Sequence, residues 1–202
     1  MKFILGKKGN MFSFTGNDGR TTAGTLLTVG PAVVIQVKSK TVDGYDAIQL
    51  GFGTRSPKNI SKPVRGHSKD YGNFSVFHEF RIDEPSLLTG GSILDASLFT
   101  VGDTVTISGI SKGKGFQGVV KRHRFKGGPR SHGQKHSERE PGSIGSTGPQ
   151  NVSKGRRMGG RMGSDRITVK GLHVLGVDTI NSKILVSGCV PGIRGSLLEI
   201  RG

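Results

Sequence analysis

Short runs of apolar and β-branched residues, broken by Gly, Asn and Asp, set the pattern of the first 110 residues. They predict strands at Leu26–Val29, Ala32–Lys38, Ala47–Phe52, Val76–Ile82 and Thr104–Ile110. Strands of this length and spacing suggest an antiparallel β-barrel. Asn17-Asp18-Gly19 and Val42-Asp43-Gly44 hold residues that tolerate positive φ beside β-branched runs, so hairpin or tight turns are expected there. Pro31 fits the start of a strand.

The pattern fails twice. Ser56–Asn73 is polar and basic with little apolar content, and reads as an exposed excursion holding about one helical turn. Residues 111–166 carry 14 Lys and Arg against 3 acids, 13 Gly and only eight Phe, Val, Ile or Met in 56 positions. Such a segment cannot build a core of its own. Strand grammar then returns at Ile167–Lys170, Leu172–Val177, Lys183–Val186 and Leu197–Ile200, with a turn signal from Val177-Asp178 to Asn181-Ser182. The expected organisation is a globular β body from residues 1–110 and 167–202, with residues 111–166 inserted.

Charge sharpens this division. The chain has 30 Lys and Arg against 14 Asp and Glu, a net charge of +16, and the insert alone accounts for +11 of it. A basic run that lies mid-chain between strands and is punctuated by Phe116, Phe125, Ile144 and Met158 points to docking on a polyanion rather than to a solvated tail. Gly, at 34 of 202, implies many turns or close backbone approaches. Cys189 is the only cysteine, which excludes an internal disulfide and fits a small apolar residue in a reducing compartment. The start, Met1 to Lys8, lacks the apolar run of roughly 7 to 15 residues of a signal peptide, and no stretch nears the roughly 18 of a membrane span. A soluble cytoplasmic protein with no membrane partner is expected.

Ser111-Lys112-Gly113-Lys114-Gly115-Phe116-Gln117-Gly118 holds a literal G-x-G-x-x-G after a strand, with Glu138 twenty residues beyond Gly118. The chain then runs into Gly127-Gly128-Pro129 too soon for a crossover helix, which argues against a dinucleotide fold. The same glycines suit phosphate, because their N–H groups approach closely while Lys112, Lys114, Lys121, Arg122 and Arg124 neutralise charge. His132 and His136 have the spacing of two metal ligands on a helix, yet Gly133 interrupts them and no third ligand is evident, so no metal is expected. No nucleophile elbow, P-loop or paired acid and base appears, so no enzyme activity and no cofactor are expected. In Lys154-Gly155-Arg156-Arg157-Met158-Gly159-Gly160-Arg161-Met162-Gly163, cations alternate with small residues, as in a backbone laid into an RNA cleft.

Asp43 to Gly53, Ser111 to Gly118, Pro141-Gly142-Ser143-Ile144-Gly145, Lys154 to Gly160 and Val190-Pro191-Gly192 together resemble the large-subunit ribosomal protein L three family of bacterial type. The resemblance implies a mainly β fold: a translation-protein-type antiparallel barrel with a long basic, mostly irregular mid-chain extension. It further implies binding to large-subunit rRNA of bacterial 23S type, support of early large-subunit assembly, and reach toward the peptidyl transferase centre. Neighbours resembling the proteins L fourteen and L nineteen are implied, and no homo-oligomer. The side chains expected on rRNA are Lys7, Lys8, Lys58, Lys62, Arg65, His67, Lys69, Lys112, Lys114, Phe116, Lys121, Arg122, His123, Arg124, Lys126, Arg130, His132, Lys135, His136, Arg139, Lys154, Arg156, Arg157, Arg161 and Arg166. Gly9-Asn10-Met11 departs from the family's Gly-Met-Thr, and Ser146 stands where the family has a glutamine that can be methylated. Two other classes remain open on the residues alone: a nucleotide-dependent enzyme using Gly113, Gly115 and Gly118, and a non-ribosomal nucleic-acid chaperone.

Overall fold

A computed structural model describes residues 2–16, 19–68, 71–82 and 88–202. In chain order the strands are β1 (Phe3–Thr15), β2 (Thr21–Thr28), β3 (Ala32–Lys38), β4 (Ala47–Thr54), β5 (Phe74–Arg81), β6 (Ile93–Leu94), β7 (Thr104–Ile110), β8 (Phe116–Gln117), β9 (Gly160–Arg161), β10 (Arg166–Asp178), β11 (Lys183–Ser187) and β12 (Leu197–Arg201). The described residues also hold three short helices, α1 (Lys40–Asp43), α2 (Lys62–Ser68) and α3 (Val119–His123), and 3₁₀ turns at Pro57–Asn59 and Ala96–Leu98. No helix among the described residues is long and apolar enough to cross a membrane.

Six strands close into an antiparallel barrel in the order β1-β12-β7-β10-β11-β2. Alternation explains the closure. Val105 and Ile107 of β7, Ile184 and Val186 of β11, and Leu198 and Ile200 of β12 are all buried at every second position, which is the period of a pleated strand with one face inward. Burying each such side chain contributes roughly 1.5–3 kcal/mol. In β1, by contrast, Phe3, Ile4, Leu5 and Gly6 are buried in succession. Its second face meets another sheet: the Phe3 ring lies 4.9 Å from that of Phe80, and Arg201, paired with Phe3, stacks its guanidinium 5.2 Å from the same Phe80 ring.

That other sheet has four antiparallel strands in the order β5-β4-β3-β6. The expected strands at Ala32–Lys38, Ala47–Phe52 and Val76–Ile82 therefore exist but lie outside the barrel. Alternation fixes that a segment is a strand, whereas its neighbours depend on pairings that the local pattern does not encode. Lys38 of β3 reaches Glu79 of β5 at 2.7 Å and donates to the Tyr45 hydroxyl at 2.8 Å. These bonds hold the lysine above its ordinary pKa and the glutamate below its own.

β1 was not expected, because Lys7-Lys8-Gly9-Asn10 hides its apolar start. At Val42-Asp43-Gly44 the connection between the antiparallel neighbours β3 and β4 is the helical turn α1, closed by Gly44 at φ +81°, a left-handed cap that Gly adopts without a Cβ penalty. Asn17 and Asp18 lie outside the described residues, while Gly19 at φ +74° comes directly after them and Gly16 N donates to Arg20 O at 3.0 Å. The turn after β10 is as expected: Asp178 accepts from the backbone and side-chain amides of Asn181. Gly171, at φ +72°, sits in a bulge that joins two expected strands into the single β10.

The chain divides into two compact units, one formed by Met1–Ile110 with Arg166–Gly202 and the other by Ser111–Asp165. The first holds the barrel and the four-stranded sheet. The second begins and ends between neighbouring barrel strands, since Ile110 of β7 is paired with Arg166 of β10.

Candidate nucleic-acid interface

Within Ser111–Asp165 the two ends run antiparallel. Ser111 N donates to Asp165 O at 2.9 Å, Lys114 N to Met162 O at 2.9 Å and Met162 N to Gly115 O at 3.0 Å, after which β8 pairs with β9 through Phe116 and Arg161. Glycine is required where the arms touch. At Gly163, φ is +77° and a Cβ would lie 2.1 Å from Lys112 O. At Gly127, φ is +75° and a Cβ would lie 2.2 Å from Glu138 O, beside the Gly128 N to Glu138 O bond of 2.9 Å. The close backbone approaches that the glycine content implies are realised at these two sites as backbone against backbone.

The G-x-G-x-x-G segment contains the two-residue β8 and leads into the five-residue α3, and the strand that meets it is antiparallel. Two α3 side chains turn across to the opposite arm: Arg122 Nη1 and His123 Nε2 both donate to Met158 O, at 2.9 and 3.0 Å. A carbonyl only accepts, so His123 carries its proton on Nε2 there. Val119 is the buried apolar side chain of this unit, and Phe116 is 80% exposed.

The basic side chains remain largely at the surface. Lys112, Lys114, Lys121, Arg124, Lys126, Arg130, Lys135, Arg139, Lys154, Arg156, Arg157 and Arg161 are exposed, as are His132 and His136. Among the described residues of the unit, ion pairs join Arg130 to Glu138 at 2.6 Å and Arg161 to Asp165 at 3.4 Å. Arg156 donates to Ser143 O. Residues 141–158 are exposed throughout, so Lys154, Arg156 and Arg157 lie together on open backbone. His132 at φ +59° and Gly133 at φ +80° are consecutive left-handed residues. They rule out the helix on which His132 and His136 would share a face, and no group of three or more metal-ligating side chains occurs among the described residues.

In the first unit, Lys58, Lys62, Arg65 and His67 are exposed on the excursion, which folds as the 3₁₀ turn and α2 around a buried Ile60. Arg65 donates to Pro57 O at 2.6 Å and His67 Nε2 lies 2.5 Å from Gln49 Oε1. Lys69 lies outside the described residues. Exposed Lys7 reaches β4, its Nζ 3.9 Å from where a Gly53 Cβ would be. Two expected contacts have inward partners: Lys8 donates to Val190 O and Gly192 O at 2.7 and 2.9 Å, and Arg166 pairs with Glu199. Arg55, exposed at the start of the excursion, and Arg194, exposed between β11 and β12, are surface cations that the sequence pattern does not single out, because each stands outside any run of charge.

The family model described as ribosomal protein L3 matches residues 90–183. Over 199 residues the chain is 43% identical to the large ribosomal subunit protein uL3 of Herpetosiphon aurantiacus, covering 98% of this chain and 94% of that one. It is 43% identical to uL3 of Carboxydothermus hydrogenoformans over 202 residues, with 99% and 96% covered. With uL3 of Desulfitobacterium hafniense it shares 44% over 202 residues, with 99% and 95% covered.

Proposed function

Because the chain belongs to the ribosomal protein uL3 family, we propose that it binds large-subunit rRNA of bacterial 23S type, supports early assembly of that subunit, and carries residues 111–166 toward the peptidyl transferase centre. It is a structural constituent of the ribosome, not an enzyme, and its place is with rRNA and other ribosomal proteins in the cytoplasmic ribosome. The observation that supports the rRNA reading best is the surface of Ser111–Asp165, where basic side chains far outnumber acids and lie exposed on glycine-rich backbone.

The physical account is counterion release. Each exposed Lys or Arg that meets a phosphate frees condensed cations, and affinity falls steeply with salt. Arg forks on open backbone, as at Arg156 and Arg157, suit phosphate geometry, while folded RNA is recognised mostly by shape and backbone. Lys7, Lys58, Lys62, Arg65 and His67 form a second basic surface on the barrel unit. Lys8, Arg122, His123 and Arg166, which also bond the protein's own backbone or acids, belong to the proposed rRNA contacts with the rest. Neighbours resembling L fourteen and L nineteen are part of the proposal.

Gradient fractionation of a lysate at raised salt tests it. The chain is expected to comigrate with large subunits and whole ribosomes. Confinement to the free fraction would overturn the reading in favour of an exchanging nucleic-acid chaperone.

A further inference from the structure

Past Lys8, strand β1 has a paired neighbour on one side only among the described residues. β12 covers it from Phe3 to Lys7, and the last backbone bonds on that side are Lys8 N to Ser196 O at 3.0 Å and Gly195 N to Lys8 O at 2.8 Å. On the other side β2 continues as far as the Thr15–Thr21 pair, whereas β11 leaves β2 at Gly24. Phe14–Thr15 and Thr21–Thr22 thus form a two-stranded end beyond the closed barrel, Met11 and Phe12 lie opposite β2 residues that β11 still pairs, and the outer edge of β1 from Met11 to Thr15 is unpaired among the described residues. A bulge between Lys8 and Met11 sets this segment off from the rest of β1.

A two-stranded ribbon by itself is marginal in water, and open edges are normally defended by Lys, Pro or very short length. This edge reads Met11-Phe12-Ser13-Phe14-Thr15, without charge or proline. Met11 is 46% and Phe12 51% exposed, and the thiol of exposed Cys189 extends the apolar strip at 3.8 Å from the Met11 sulfur. Charge distinguishes the occupant. The molecule carries +16, yet Gly9 to Gly19 contain no Lys or Arg and one Asp. A surface built for a phosphate backbone carries cations, so this one is suited to polypeptide.

We propose that the outer edge of β1 from Met11 to Thr15 accepts, by strand addition, an extended segment of a neighbouring ribosomal protein. The partner's main chain completes the ladder, and its apolar side chains cover Met11 and Phe12. That the partner is ribosomal rests on the reading under Proposed function; the open edge itself does not.

The test places the photoreactive amino acid benzoylphenylalanine at Phe12 in cells, isolates large subunits, and irradiates them intact. A second probe at exposed Ser13 covers the case in which the Phe12 replacement impairs incorporation. The expected product is an adduct between this chain and one other ribosomal protein, with the Met11–Thr15 amides exchanging about tenfold more slowly in the subunit than in the free chain. Adducts with rRNA alone, adducts with a second copy of the chain, or no adduct from subunits that contain the chain each overturn the proposal. Absence of the unlabelled chain from large-subunit fractions, established before any irradiation, removes the ribosomal reading and this proposal with it.

Discussion

Asp103 accepts from Lys2 Nζ at 2.6 Å and from Thr100 N at 2.9 Å, and the Lys2 bond is the larger reason its carboxyl is lowered from 3.8 to about 2. A carboxyl depressed in the folded state stabilises the fold fully above its unfolded pKa, and this contribution is lost as pH falls from about 4 toward 2. Asp103→Asn is therefore expected to lower the melting temperature modestly at neutral pH, with wild type and variant converging below the folded value. Parallel thermal melts across pH check this, and a gap that persists at the lowest pH would refute it. Gly163 is a second residue with a definite cost. Alanine at φ +77° meets both the left-handed penalty of roughly 1–2 kcal/mol and a backbone oxygen 2.1 Å away. Gly163→Ala should speed hydrogen exchange at the Lys114 and Met162 amides while leaving that of the barrel strands unchanged.

Elements differ in how far their sequences announce them. β3 and β7 match the expected strands residue for residue, because alternating β-branched side chains specify a strand wherever its partner lies. The first strand was illegible because its buried part is only Phe3–Gly6, with Lys7-Lys8-Gly9-Asn10 directly after it. Two-residue strands such as β8 and β9 carry no period to read. Beside their pairing, Met158 O accepts from Arg122 and His123 of the other arm. In sequence both were expected on rRNA; their bonds to Met158 O were not legible there, since charge does not reveal what else a cation reaches across a turn. Removing the guanidinium by Arg122→Ala should loosen the arms by about 1–2 kcal/mol. Tryptic cleavage at Arg157 or Arg161 in the free protein is expected to accelerate, and unchanged cleavage kinetics would show that the bond does not hold the arms.

At the scale of the molecule, the concentration of charge in residues 111–166 was the feature most legible from sequence, and the barrel's partners the least. The proposed function makes that charge measurable. Replacing Lys112, Lys114 and Arg157 together by Glu should weaken binding to large-subunit rRNA and reduce the slope of log affinity against log salt by about one per lost phosphate contact. The barrel's own melting temperature should not move, because all three side chains are exposed. An unchanged slope would mean that these cations meet solvent and not phosphate.

The Ile110–Arg166 pair has a bearing on descent as well as on folding. Since the barrel already brings these two residues to adjacent ladder positions, everything between them is tolerated as a guest in a hairpin loop. Loop entropy changes by only about 0.6 kcal/mol for each doubling of length. Such a junction lets the guest lengthen, shorten or diverge over generations while its host keeps folding, so the two can evolve at different rates. Excising residues 112–164 and joining Ser111 to Asp165 through an Asn-Gly turn should yield a body that melts no lower than the parent in calorimetry, stripped of most of its charge and of the salt-dependent RNA affinity proposed for it.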